Sequence, residues 1–235
     1  MPNWVKNIIT AKAETINKIK EKYFENDVLS FQKVIPMPED LNIESSGRGE
    51  VGLMYLYMEK HKGISKELIN EVYRSLNCFN KDIFKEKRFE IAVKEYDECK
   101  DKPDYIKSVE LAKKYISNYK KYGHAEWYEW CVDNWGSKWD AFRVCYDENT
   151  IVFETAWSSP EGILIEMSKG LENDEFELKF ADEDFSSDNN GVARFKNGRI
   201  IELEMDKGEN FAADIWYNCM SYEEKTPDIV EDMFE

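Results

Sequence analysis

Proline and glycine are scarce, with 6 and 11 among 235 residues, and their scarcity excludes collagen-like repeats and the low-complexity chains that never pack a core. Histidine is scarcer still. His61 and His124 stand far apart, and neither belongs to an HxxxH, HxH or HExxH arrangement, so no histidine-centred metal motif is present. Five cysteines, at 78, 99, 131, 145 and 219, form an odd number with no CxxC spacing. Neither a disulfide framework nor a zinc knuckle is indicated, and reduced thiols are expected. Long apolar runs are missing too. The longest, Val51 to Met58, falls far below the ~20 residues of a membrane helix, and Met1-Pro2-Asn3-Trp4 lacks the basic and then apolar pattern of a signal peptide. A protein of the cytoplasm is therefore expected.

Positive charge is also in deficit. Lys and Arg number 32 against 48 Asp and Glu, giving a formal charge of −16 and an isoelectric point of about 4.7. Such a surface is repelled by nucleic-acid backbones, which argues against sequence-independent DNA or RNA binding unless a basic patch is concentrated somewhere. The deficit is uneven: residues 1–120 carry 22 basic and 20 acidic side chains, whereas residues 121–235 carry 10 and 28. The acidic second half has two readings, a charged surface that keeps the protein in solution or a negative face presented to a basic partner. Ordinary core material is plentiful. Hydrophobic residues make up 42% and aromatics 14%, enough for one or two globular domains at this length.

Hydropathy periods divide the chain. Trp4 to Thr10 is rich in strand formers, Ile16, Ile19, Tyr23 and Phe24 recur at helical spacing, and Leu29 to Ile35 alternates again before Pro36-Met37-Pro38. This opening predicts β-α-β. From about Gly49 the period turns helical: Ile64, Leu68, Ile69, Val72, Tyr73 and Leu76 make one face behind a Ser65 cap, and Ile106, Val109, Ala112, Ile116 and Tyr119 make another over 103–122. After Trp139 the period returns to two. Phe142, Val144 and Tyr146, the turn Asp147-Glu148-Asn149, then Ile151, Phe153 and Thr155 predict a hairpin. A short helix is expected from Pro160 to Leu171, a strand around Phe176, Leu178 and Phe180, a second hairpin about the type I′ pair Asn197-Gly198, and a last helix within 208–220. The segments predict an α+β fold in four parts: 1–48, the N-terminal β-α-β part of a sheet domain; 49–125, a helical insertion; 126–220, the C-terminal α+β part; and 221–235, an acidic tail.

Motifs with chemical content are few. Gly47-Arg48-Gly49-Glu50-Val51-Gly52 matches GxGxxG, whose glycines let amides approach a pyrophosphate, but no convincing strand precedes it and no strand ending in an acid follows. A loop entering a helix is expected there. A Cys–His nucleophile pair would require tertiary proximity. Asp182-Glu183-Asp184 with Asp188 offers hard oxygen ligands without the EF-hand spacing and reads as a solvated loop between strands. Neither a metal nor an organic cofactor is indicated. The densest unusual segment, Trp127 to Ala141, holds four of the seven tryptophans. Indoles beside Asn134, Lys138 and Asp140 form either an interlocked core corner, with Gly136 where a helix must turn into a strand, or an aromatic recognition surface.

Four stretches together, Pro2-Asn3-Trp4, Phe31 to Leu41, Trp130 to Ala141 and Phe153-Glu154-Thr155-Ala156-Trp157-Ser158-Ser159-Pro160, resemble the YubB ferredoxin-like family, whose members are encoded by bacteriophages, prophages and plasmids. The resemblance spans 1–41 and 126–205, and Ser159 stands where the family pattern has a second proline. It implies a ferredoxin-like antiparallel or mixed sheet with helices packed on one face and a large helical insertion. It implies no activity, and no catalytic or metal residue carries over. An origin in a mobile element leads to the expectation of a non-enzymatic protein that binds and inhibits a host defence complex such as CRISPR or restriction machinery. The partner would offer a basic surface to an acidic, nucleic-acid-mimicking face or to an aromatic patch, with no nucleic acid or membrane contacted directly. The residues expected to carry the interaction are Trp135, Lys138, Trp139 and Asp140 on the Trp-rich segment and Asp182, Glu183, Asp184 and Asp188 on the acidic loop. The alternative is a small-ligand protein or enzyme with a pocket between the Trp-rich turn and the sheet. A third reading places RNA on a basic face of the middle helices.

Overall fold

The computed structural model describes residues 3–59, 64–76, 82–100 and 102–218. In chain order its elements are β1 (Trp4–Thr10), α1 (Ala13–Tyr23), β2 (Phe24–Glu25), β3 (Val28–Leu29), α2 (Phe31–Val34), α3 (Gly47–Met58), α4 (Lys66–Arg74), α5 (Lys87–Cys99), α6 (Pro103–Tyr122), α7 (Trp127–Trp135), β4 (Phe142–Tyr146), β5 (Thr150–Ala156), α8 (Glu161–Gly170), β6 (Phe176–Asp182), β7 (Asn190–Lys196), β8 (Arg199–Met205) and α9 (Glu209–Tyr217). They group into two compact units, Met1–Pro36 with Val132–Glu235, and Met37–Cys131. His61, Cys78, Cys219 and the expected acidic tail lie outside the described residues.

The first unit is built on one antiparallel sheet with strand order β4-β5-β1-β6-β7-β8. Taken along the chain, β1, α1, β4, β5, α8 and β6 read β-α-β-β-α-β with β1 between β5 and β6, a ferredoxin-like α+β fold, and the β7–β8 hairpin extends it by two strands. β1 is buried on both faces: Val5, Asn7 and Ile9 point one way and Lys6 and Ile8 the other. On the Val5 face, Phe31 of α2 meets Phe153 edge-on, and α1, α2 and α8 pack side by side. One helix, α9, lies against the opposite face, where Ala212, Ile215 and Trp216 close over Ile8 and Ala181. The β7–β8 turn has both positive φ values that a type I′ pair requires, +50° at Asn197 and +73° at Gly198.

The opening departs from the expected β-α-β. Val28–Leu29 form only half of a two-residue hairpin with Phe24–Glu25, and Phe31–Val34 turn into a single helical turn instead of continuing a strand. The cause is tertiary. Asp140 accepts hydrogen bonds from the Phe31 amide (2.6 Å) and the Ser30 hydroxyl (3.2 Å), holding the first turn where no neighbouring strand is needed. The alternation of Leu29, Phe31 and Ile35 marks anchor residues, not a pleat.

In the second unit the GxGxxG stretch is not a loop before a helix but the first turns of α3. Its glycines are packing devices: a Cβ at Gly49 would overlap the Tyr115 ring, and one at Gly52 the Ser108 carbonyl of α6. The seam on α6 is accordingly Tyr105, Ser108, Ala112 and Tyr115, all buried, and Ile106 of the expected face is exposed. A small polar residue at the closest approach hid the register. Pro103 opens α6 and Gly123, at φ +77°, closes it, so the helix has the expected bounds of 103–122. Ser65 caps α4 by accepting from the Leu68 amide at 3.2 Å.

Candidate functional site

Antiparallel register gathers the starts of β1, β4 and β7 and the ends of β5, β6 and β8 at one end of the sheet, as Trp4 faces Ala156, Val5 faces Asp182 and Gly191 faces Met205. Large aromatics collect there. Trp4 stacks on Phe142 with centroids 5.1 Å apart and tilts against Trp139 at 6.0 Å. Lys138 Nζ lies 4.3 Å from the Trp139 ring and 5.3 Å from the Trp157 ring, and the Arg143 guanidinium lies 5.2 Å from Phe142. The result is a continuous row, Trp157, Lys138, Trp139, Trp4, Phe142, Arg143, in which three stacked or tilted rings are flanked by a cation on each side. It faces solvent: Trp139 and Phe142 are each 37% exposed and Trp157 is 42% exposed.

The backbone under this row is strained and fixed. Trp157 sits at φ +70°, a conformation that costs a side-chain-bearing residue free energy and persists only when the surroundings over-determine it. Here they do. The Trp157 amide donates to the Asn3 carbonyl (2.9 Å), its carbonyl accepts from Asn189 Nδ2 (2.9 Å), and Thr155 Oγ1 donates to the Ser158 carbonyl (2.8 Å) while accepting from the fully buried Asn7 (2.8 Å). At the other end of the row a bulge between Phe142 and Cys145 puts Arg143 at φ +48° and aims it at Glu154, 3.1 Å away. Burial pushes the Glu154 carboxyl above the ordinary range, and Arg143 and Lys6 pull it back. Lys6 itself lies 4.6 Å over the Trp216 ring.

The acidic loop adjoins the row. Glu183 continues the pairing of β6 with β1, its amide donating to the Trp4 carbonyl (2.9 Å) and its carboxylate accepting from the Trp4 amide (3.1 Å). Asp182 is buried and accepts from Asn3, Asn189 and the Asp184 amide. Asp184 accepts from the amide and hydroxyl of Ser186, while Glu183, Asp184 and Asp188 remain exposed. Among the described residues no group of three His, Cys, Asp or Glu side chains is placed to hold a metal ion.

Of the eight expected residues, the structure thus brings Lys138, Trp139, Asp182, Glu183, Asp184 and Asp188 to one end of the sheet. Trp135 and Asp140 lie behind it. Trp135 is buried, donates its indole N–H to the Ile35 carbonyl (2.9 Å) and meets Phe31 edge-on. Asp140 holds the start of α2; burial raises its carboxyl, and the amides of Phe31 and Ala141 with the Ser30 hydroxyl work against that rise. The Trp135 corner is therefore filled by side chains. Two open depressions lie elsewhere, one of ≈ 340 Å³ between Arg48 and Lys107 and one of ≈ 430 Å³ beside Lys196 and Arg199. Trp4, Phe142, Arg143, Trp157 and Asn189 were missed by sequence reasoning; the signal available was a bulky aromatic at the terminus of a strand, which becomes a site only when the strand order is known.

Residues 134–229 match the family model described as a ferredoxin-like domain in Api92-like protein. Among solved structures, a crystal structure of a protein api92 from Yersinia pseudotuberculosis is similar at 7% identity, covering 87% of this chain and 98% of that one, with a TM-score of 0.38. No curated protein matches the chain. What stands of the resemblance to YubB proteins is a ferredoxin-like domain. Among the described residues no helix is long and apolar enough to cross a membrane.

Proposed function

We propose that this chain is a non-enzymatic binding protein whose aromatic and acidic sheet end engages a basic surface on a partner protein, the partner class being a host defence protein or nucleoprotein complex such as CRISPR or restriction machinery, which it inhibits. The observation that carries the reading is the exposed row of Trp157, Trp139 and Phe142, with Trp157 held in a costly backbone conformation by hydrogen bonds to Asn3 and Asn189. A folded chain that spends stability to hold an indole in solvent is behaving as binding surfaces do, where Trp anchors supply most of the affinity. Glu183, Asp184 and Asp188 beside the row, in the half of the sequence with 28 acids against 10 bases, supply attraction to a basic face. The defence setting comes from the resemblance to proteins of phages and plasmids.

A filled Trp135 corner, with its indole N–H satisfied, favours this reading over a ligand pocket between the Trp-rich turn and the sheet. The test is affinity capture of the tagged chain from lysates of a bacterial host at low and moderate salt, with mass spectrometry of what is retained. The expected result is one basic, nucleic-acid-handling complex, released by added salt and displaced by nucleic acid. Retention of nothing, or of partners indifferent to both, would refute the reading.

A further inference from the structure

A second surface, independent of the aromatic row, lies at the far side of the sheet. β8 pairs with β7 on one side, and among the described residues no strand pairs with its other side. Edge strands of natural proteins are commonly blunted by lysine, proline or a covering element. Among the described residues β8 has neither lysine nor proline, and a bulge at Ile201 interrupts its pairing only near the turn: between Arg199 and Met205 its sequence is Ile200-Ile201-Glu202-Leu203-Glu204, and Leu203 and Met205 stay 52% and 50% exposed.

The register says which backbone groups are open. The Asp206 amide donates to the Asn190 carbonyl at 2.9 Å, so Asp206 points its polar groups toward β7. In an antiparallel ladder these directions alternate along the strand, which sends those of Glu204 and Glu202 inward and those of Leu203 and Met205 outward. The side chains alternate with them. Leu203 and Met205 share the face of Ala193 and Gly191, while Glu202 and Glu204 share the face of Arg194 and Val192, with Arg194 Nε 3.0 Å from Glu202. A strand added outside β8 would thus set its inward-bonding residues opposite Leu203 and Met205, and the intervening residues opposite Glu202 and Glu204.

We propose that the outer edge of β8 takes up an extended peptide segment of a partner protein in which basic and apolar side chains alternate. The apolar residues cover Leu203 and Met205 and exchange backbone hydrogen bonds with them, and the basic residues face the two glutamates. A second copy of β8 is the wrong occupant. Antiparallel self-pairing centred on Leu203, which would bury the most of both edges, sets Glu202 against Glu204, which is unfavourable, whereas lysine or arginine opposite each is favourable. The acids therefore do two things at once: they keep the open edge from joining its own kind and select a basic strand.

The test is calorimetric titration of the full chain with a short capped peptide alternating Lys with Val and Thr, beside the same peptide carrying Glu in place of Lys. The Lys peptide is expected to bind at least about tenfold more tightly, two opposed charge pairs being reversed between the two. N-methylation at the Val and Thr amides should abolish binding, because those amides face β8; N-methylation at the Lys amides should leave it unchanged. The double variant Glu202→Lys with Glu204→Lys, both sites being on the surface, should exchange the preference while keeping the wild-type circular dichroism spectrum. Equal binding of the Lys and Glu peptides, no binding of either, or indifference to methylation at the Val and Thr amides would overturn the proposal.

Discussion

Replacing Trp157 by Ala and by Gly separates what its backbone costs from what its ring contributes. Both substitutions remove the indole and its contact with Lys138, so those losses cancel between the two variants. The difference left is conformational. At φ +70° a residue with a Cβ carries about 1–2 kcal/mol of strain, which Gly escapes. Gly gives back roughly 0.5–1 kcal/mol through the larger freedom of its unfolded chain. Trp157→Gly should therefore be more stable than Trp157→Ala by about 0.5–1 kcal/mol, the reverse of the order at an ordinary surface position. With a urea slope of about 2 kcal/mol per M, the midpoint followed by far-ultraviolet circular dichroism should be higher for the Gly variant by about 0.3–0.5 M. Partner binding should fall equally in both. An alanine variant as stable as the glycine variant would refute the claim that strain is held at this position for the sake of the ring.

Three further outcomes follow from the packing and the charges. Asp140→Ala strips acceptors from the amides of buried Phe31 and half-buried Ala141 and should cost about 2–4 kcal/mol in urea denaturation, against no measurable loss if the carboxylate were a free surface group. Gly52→Ala would gain about 1 kcal/mol in an open helix, but overlap with the Ser108 carbonyl costs more, so a net loss of about 1–2 kcal/mol is expected; a gain would show that α3 and α6 do not meet this closely. Glu154 bears on pH. Burial raises its folded value above the unfolded one, so the folded protein holds this proton more tightly and the group's contribution to stability falls as pH rises from the unfolded carboxylate range through the folded value. Glu154→Gln lacks that titration, and its stability relative to the parent should rise with pH across that window; a difference that stays flat from about pH 4 to 7 would contradict it.

Most of the sheet was legible from the sequence because its strands alternate and its turns carry their own chemistry. The period-two run Phe176-Leu178-Phe180 and the Asn197-Gly198 pair are local statements, and the folded chain honours both. The long helix from Pro103 to Tyr122 was equally plain from its helical apolar period. Reading failed where a tertiary contact decided a local choice. Phe31 is helical because of Asp140, more than a hundred positions away, and α6 turns Ser108 instead of Ile106 toward α3 because two glycines let the helices touch. The site was half legible for the same reason. The Trp-rich segment and the acidic loop stand out in composition, but Trp4, Phe142 and Trp157 join them only through the register of β1 with β5 and β4 with β5. Trp135 and Asp140, alike in sequence to their neighbours, prove to be the fastening behind the surface, since burial and bond direction are not encoded by residue type.

The central claim is that the aromatic and acidic sheet end is the surface that binds a partner. The most direct measurement is the affinity of the captured complex for the wild-type chain, for Trp139→Ala with Trp157→Gly, and for Asp184→Lys with Asp188→Lys, each at low and moderate salt. Loss of a Trp anchor is worth about 2 kcal/mol or more, so the account predicts a fall of about 30-fold for the first pair. For the second pair it predicts a fall that is large at low salt and shrinks as salt is added. Unchanged affinity in both pairs, with the fold intact, would contradict it.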